Sequence, residues 1–237
     1  FEDKPQDIGR FRNAPFWRER FGDSRTDKRR FNWTRFYEAV ADKLLTFRDK
    51  RKELVAGIHA IGEKVECMSI LQDHFQDGSI GPLRDICPFT VMGIFNRGIT
   101  EDNRKAIASE LATLLGVSEA VPDSFEGTPV VNNQRSWFFG YADKREPDDI
   151  EALWEIFSQA IRLAESDDAE DRSAFISAYD NVTQRYCVGW NLTMGLYWIR
   201  PWYFPPLDNR SRRYITKKLN IQIRMNGPKG RCKAKDY

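Results

Sequence analysis

The chain reads as an α+β protein, a helix-rich single body with short interspersed β-strands and a basic N-terminal arm. Three observations predict this. Apolar residues recur at helical spacing in several long stretches. Short apolar or aromatic runs lie between them, without the regular strand–helix alternation of a parallel sheet. Charge is segregated along the sequence, although the net value is only +2. With 237 residues, 41% of them hydrophobic, the chain is long enough to bury a sizeable core.

Residues 1–31 are polar and Arg-rich, with little apolar periodicity, and are read as an extended basic arm. Asn32 is placed to cap a helix carrying Trp33, Phe36, Tyr37, Val40, Leu44 and Phe47. A second helix follows, with Leu54, Val55, Ile58, Ile61 and Val65 on one face; Gly57 and Gly62 weaken it. Pro82 and Pro88 bracket a turn region, and Phe89–Phe95 (FTVMGIF) reads as a short buried strand.

Thr100, ahead of Glu101 and Asp102, starts a helix whose face is Ile107, Leu111, Leu114 and Leu115, and Gly116 stops it. Residues 122–136 form a loop before a short aromatic strand, Trp137–Tyr141. Asp148 and Glu151 have capping-box spacing ahead of the clearest amphipathic stripe: Ile150, Leu153, Trp154, Phe157 and Ile161. Another helix carries Phe175, Ile176, Tyr179, Val182 and Tyr186. Leu192–Ile199 is a strand candidate, ended by Pro201, Pro205 and Pro206. A basic helix over 208–219, a short strand at Ile221–Met225 and a polar tail complete the chain. The domain reading is an arm over 1–31, a recognition body over 32–219, and a basic tail or linker over 220–237.

Residues 1–52 carry a net +6, residues 53–208 carry −13, and residues 209–237 carry +9. Basic ends around an acidic middle point to a polyanionic partner for the ends. The acids between Asp143 and Asp171 outnumber the bases there, so that face is expected to be solvated and to repel DNA. No run of apolar residues is long enough for a membrane span and no secretory leader opens the chain, so the expected location is the cytoplasm.

Several chemistries lack their residues. Cys67, Cys87, Cys187 and Cys232 are scattered and read as small hydrophobes, and with only His59 and His74 there is no metal cluster. The terminal GPKGRCKAK has the wrong spacing for a phosphate loop, and GxGxxG, GxSxG and HExxH are absent. The only Glu-x-Lys falls at Glu2-Asp3-Lys4, in the arm, where nuclease chemistry has no strands to build on. No catalytic residue, metal ligand or cofactor site is therefore assigned.

Three clusters interleave amides, arginines and aromatics: Phe95-Asn96-Arg97-Gly98, Asn132 through Phe139, and Trp190 through Phe204. Amides match base edges, Arg matches phosphate or guanine, and flat aromatics stack on unstacked bases. Asn133, Gln134, Trp137, Asn191, Trp198, Trp202 and Tyr203 are the candidates for a pocket around an unstacked base, with the last two clusters side by side. Arg97, Arg135, Arg200, Arg210, Arg212, Arg213, Lys217 and Lys218 are the candidates for binding the DNA backbone. Phe138, Phe139 and Tyr197 have the spacing of core residues.

The strings FTVMGIFNRGIT, GTPVVNNQRSWFFGY and NLTMGLYWIRPWYFPPLDNRSRRYI resemble an N-terminal region attached to McrB-like AAA+ NTPases of modification-dependent restriction systems. The resemblance runs from about Trp33 to about Leu219. It implies a domain without catalysis of its own that recognises a modified base in double-stranded DNA, a modified cytosine read by base flipping. It also implies an AAA+ NTPase domain elsewhere in the full chain and a separate nuclease subunit. Two other readings stand beside it: a protein-interaction or regulatory domain of an AAA+ NTPase, using the acidic face, and a metal-dependent nuclease.

Overall fold

A computed structural model describes Phe31 and residues 33–237. Apart from Phe31, the expected arm lies outside the described residues, as does the Asn32 cap. Helix α1, Trp33–Leu45, buries Trp33, Phe36, Tyr37, Val40 and Leu44 along one stripe, as its spacing predicts. Helix α2, Arg51–Lys64, buries Leu54, Val55, Ile58 and Ile61.

Two segments expected as strands are helices. Pro88–Phe95 is α3 and Trp190–Ile199 is α7. All eight residues of α3 are buried, and so are eight of the ten in α7. A helix surrounded by protein shows no polar face, so its sequence carries no 3.6-residue period and looks like a buried strand. Local chemistry favours the helix in α3: Pro88 occupies its first turn and the Cys87 sulfur accepts from the Thr90 amide at 3.4 Å. Gly93 is required here by packing, because a β-carbon would meet the Ser136 carbonyl oxygen at 2.6 Å.

Neither of the other expected strands forms. Trp137–Tyr141 is irregular and has no ladder partner among the described residues; the Phe138 amide donates to the Thr90 hydroxyl at 3.1 Å instead. Ile221–Met225 is irregular. Among the described residues, the β-structure is an antiparallel hairpin of β1, Gln72–His74, and β2, Ile80–Pro82, plus an isolated bridge between Arg97 and Val131. The class is α+β and helix-rich, with its strands elsewhere than expected. The hairpin turns at Asp77-Gly78, where Gly78 has φ 81° and the Asp77 carboxylate accepts from the Ser79 amide.

Helix α4, Glu101–Leu115, starts at a Thr100 cap and stops at Gly116 in the left-handed region. Helix α5, Asp149–Ser166, has its stripe buried, but Asp148 does not cap it; its carboxylate pairs with Arg185 at 2.7 Å. The acidic outer face of α5 is partly neutralised within the fold, since Arg48 reaches Glu155 at 2.8 Å and Arg51 reaches Glu151 at 3.3 Å. Helix α6, Ala169–Val182, packs along α5 and ends before Tyr186, which is exposed instead of joining the stripe.

Helix α8, Asn209–Lys218, is the expected basic helix. The Asp208 carboxylate accepts from the Arg210 and Ser211 amides at 2.6 and 3.0 Å, and none of the helix is buried. Residues 220–237, expected as a tail or linker, fold back. Cys232 is buried beside the Tyr179 hydroxyl, the Ala234 amide donates to Asp180 at 2.9 Å, and the Tyr237 ring stacks on Phe204. The four cysteines are free thiols, two of them buried.

Candidate nucleic-acid interface

A cavity of about 470 Å³ opens between the start of α7, the start of α8, the Val130–Arg135 segment and Arg231 of the C-terminal segment. Val131, Met194 and Trp190 supply apolar wall, and Asn132, Asn191 and Asn209 supply amides. Four arginines line it (Arg135, Arg210, Arg212 and Arg231) against one carboxylate, Asp208, whose Oδ1 is held by the α8 amides.

Each wall has a local cause. Asn132 caps the single turn Asn133–Ser136, its Oδ1 accepting from the Arg135 amide at 2.8 Å. Asn191 ties that turn to α7: Nδ2 donates to the Arg135 carbonyl at 3.2 Å and to Cys187 at 3.3 Å, while Oδ1 accepts from Gly189 at 2.7 Å. The Arg212 guanidinium lies over the Trp190 ring, 4.2 Å from its centroid, and donates to the Asn209 side chain. The loop that carries Arg231 closes where the Gly227 amide donates to the Arg231 carbonyl at 2.6 Å, and buried Cys232 anchors the next residue.

Arg231 lies against Gly189, where a β-carbon would stand 2.8 Å from its Nη2. Its Nε and Nη1, and the Nε of Arg212, are buried without a hydrogen-bond partner among the described residues. Burial, and then the charges of Arg135 and Arg212, pull the Arg231 pKa below the usual arginine range. Lys229 is lowered too, by burial first and Arg231 next, and its ammonium donates to the Arg185 carbonyl. Among the described residues, none of Arg135, Arg212, Arg231 and Lys229 forms an ion pair with a carboxylate.

A family model described as a domain of unknown function (DUF8425) matches residues 33–235. The chain belongs to that family. No curated protein and no solved structure matches the chain. The matched span of the DUF8425 domain takes in Arg231 and Cys232, so the folded-back segment as far as residue 235 is part of the family's own domain.

The DUF8425 domain distributes the candidate residues in three ways. Asn191, Arg135, Arg210 and Arg212 line the cavity, which brings the second and third clusters together there. Arg213, Lys217 and Lys218 are exposed on α8, and Asn133 and Gln134 are exposed on the turn beside Arg135. Trp202 is 61% exposed but outside the cavity lining.

The rest are engaged in the scaffold. Trp198 is wholly buried, its Nε1 donating to the Pro129 carbonyl at 2.8 Å, so it is a core residue and not a pocket wall. Arg200 is buried between Asp42 at 2.6 Å and Glu165 at 3.0 Å, which removes it from phosphate binding. The Asn191 amide is spent on backbone groups, so it shapes the cavity without reading a base edge. Tyr203 donates its hydroxyl to Asp167 at 2.6 Å. Trp137 is half-buried against Phe139 and Tyr141, and half-buried Arg97 forms the bridge to Val131.

Sequence reasoning missed Trp190 as the aromatic wall and Arg231 as its fourth arginine. Trp190 was within a named cluster; Arg231 had only the glycines of GPKGRCK as a signal, and they serve a closed loop. Among the described residues, no group of three or more His, Cys, Asp or Glu side chains is placed to hold a metal ion. No described helix is long and apolar enough to cross a membrane.

Proposed function

We propose that the DUF8425 domain is a DNA-binding specificity domain that recognises a modified base in duplex DNA. The observation that carries this reading is the arginine-lined cavity over Trp190, bordered by the exposed cations of α8. Arginines without carboxylate partners among the described residues favour a polyanion, and an aromatic wall favours a planar ring. The cavity volume falls within the range of roughly 300–1,000 Å³ that holds small ligands and so accommodates a nucleotide. Flipping a base into it costs a few kcal/mol of lost stacking, least where the base is already modified or mismatched. The resemblance to McrB-like recognition regions supports a modified cytosine as the base, an AAA+ NTPase and a nuclease subunit as partners, and work in the cytoplasm.

The test is fluorescence anisotropy with labelled duplexes carrying modified or unmodified cytosine, at about 0.15 M salt. Tighter binding of the modified duplex is expected. Equal binding of both rejects modification reading and leaves plain DNA binding.

One observation favours a second reading, a protein-interaction domain. Tyr214, Leu219, Ile221 and Met225 are all more than half exposed, along α8 and the chain after it. In that reading, Leu219→Ser with Ile221→Ser abolishes association with the neighbouring NTPase part and leaves duplex binding unchanged.

A further inference from the structure

Arg135, Arg212 and Arg231 approach the cavity from three separate segments; Arg212 and Arg231 are held by their surroundings before any ligand arrives, and exposed Arg135 has its backbone fixed there. Arg135 follows the Asn132 cap and is pinned through its carbonyl by Asn191. Arg212 rests on Trp190. Arg231 fills the space left by the missing β-carbon of Gly189. Burying guanidinium N–H groups without acceptors is unfavourable, and Arg231 does so with two of its donors. The acceptor that suits such a set carries at least one negative charge and several oxygens in a compact volume, which describes a phosphate group.

We infer that this cavity is a phosphate site in which Arg135, Arg212 and Arg231 hold one phosphate group, so that it anchors a nucleic-acid strand irrespective of sequence. The identity of the strand rests on the DNA-reading proposal; the phosphate chemistry stands on the arginines alone. A free phosphate or a mononucleotide would offer the same group, and the two sources separate by experiment. The site also divides the labour within the cavity: the arginines hold the strand by its phosphate irrespective of sequence, and the flipped base lies against the Trp190 wall.

The test uses the 237-residue chain in four forms: wild type, Arg231→Gln, Gly189→Ala and, as a control outside the cavity lining, Arg172→Gln. Inorganic phosphate binding is followed by phosphorus NMR line width, and duplex binding by anisotropy over a salt series. Wild type and Arg172→Gln are expected to broaden the phosphate line and bind duplex. Arg231→Gln should bind modified and unmodified duplex at least about tenfold more weakly, with the salt slope lower by about one. Gly189→Ala should follow in the same direction with melting retained, since its methyl only displaces a side-chain end.

Phosphate binding lost in both variants, with no duplex binding by wild type, keeps the site and rejects the DNA reading. Duplex binding that survives Arg231→Gln with an unchanged salt slope overturns the site and keeps the DNA reading. A loss confined to the modified duplex overturns the phosphate-anchor role and leaves the cavity a base pocket alone. No response to either probe rejects both.

Discussion

The guanidinium of Arg212 is stacked on the indole of Trp190, 4.2 Å above the ring centroid, and this stack joins the basic helix α8 to the wall of the cavity. Without it α8 has little to hold it: no residue of the helix is buried, and its own stability comes from the Asp208 cap. The stack therefore does two jobs, orienting a cation toward the cavity and docking the helix that carries Arg213, Lys217 and Lys218.

Trp190→Ala is expected to weaken duplex binding by roughly tenfold, about 1.4 kcal/mol, through loss of the aromatic wall and release of Arg212. Because Trp190 is only half-buried, chemical denaturation should show a smaller loss than for a core tryptophan. Anisotropy and a urea titration on the same preparation check both parts.

Arg213→Ala, Lys217→Ala and Lys218→Ala should each weaken binding to any duplex, with the salt slope reduced by about one for each phosphate no longer neutralised. All three side chains are exposed, so melting should not move. Retained affinity and slope in all three would make α8 a solvated helix with no part in DNA binding.

Trp198→Ala and Arg200→Gln should act on stability and not on recognition. Trp198 is wholly buried, and its truncation is expected to cost about 3–5 kcal/mol. Breaking the Arg200 pairs should cost about 1–2 kcal/mol, discounted because Asp42 and Glu165 are themselves more than half exposed. The salt slope of duplex binding for Arg200→Gln should equal that of wild type. A slope lower by about one would return Arg200 to the phosphate-binding set.

Glu38 supplies a pH signature. Burial raises its pKa to about 7 despite the opposing charge of Arg200. A carboxyl whose folded pKa lies above its unfolded value binds protons preferentially in the folded state, so stability falls as pH rises from about 4.5 through about 7. The melting temperature is expected to drop across that window, by the equivalent of about 3 kcal/mol at most. Glu38→Gln should flatten the profile; an unchanged slope would assign the pH dependence to other groups.

What this sequence determined by itself is what neighbouring residues settle among themselves. Thr100 accepts from Asn103, Gly116 takes the left-handed turn, Asp208 caps α8, and the stripe from Ile150 to Ile161 drives α5 into the core. Each of these is a short-range hydrogen bond or a one-sided apolar pattern, and both leave a period or a cap in the residue order. Only the tertiary structure decided α3 and α7, because helices buried on every side carry no polar face to betray their turn. It also decided the cavity. Arg135, Trp190, Arg212 and Arg231 come from four places in the chain, and their convergence depends on Asn191 bridging two backbone carbonyls and on Gly189 leaving room for a guanidinium. The same packing took Trp198 and Arg200 out of the candidate site, since a tryptophan under Pro129 and an arginine between two carboxylates look, in sequence alone, like any other aromatic and cation beside a loop.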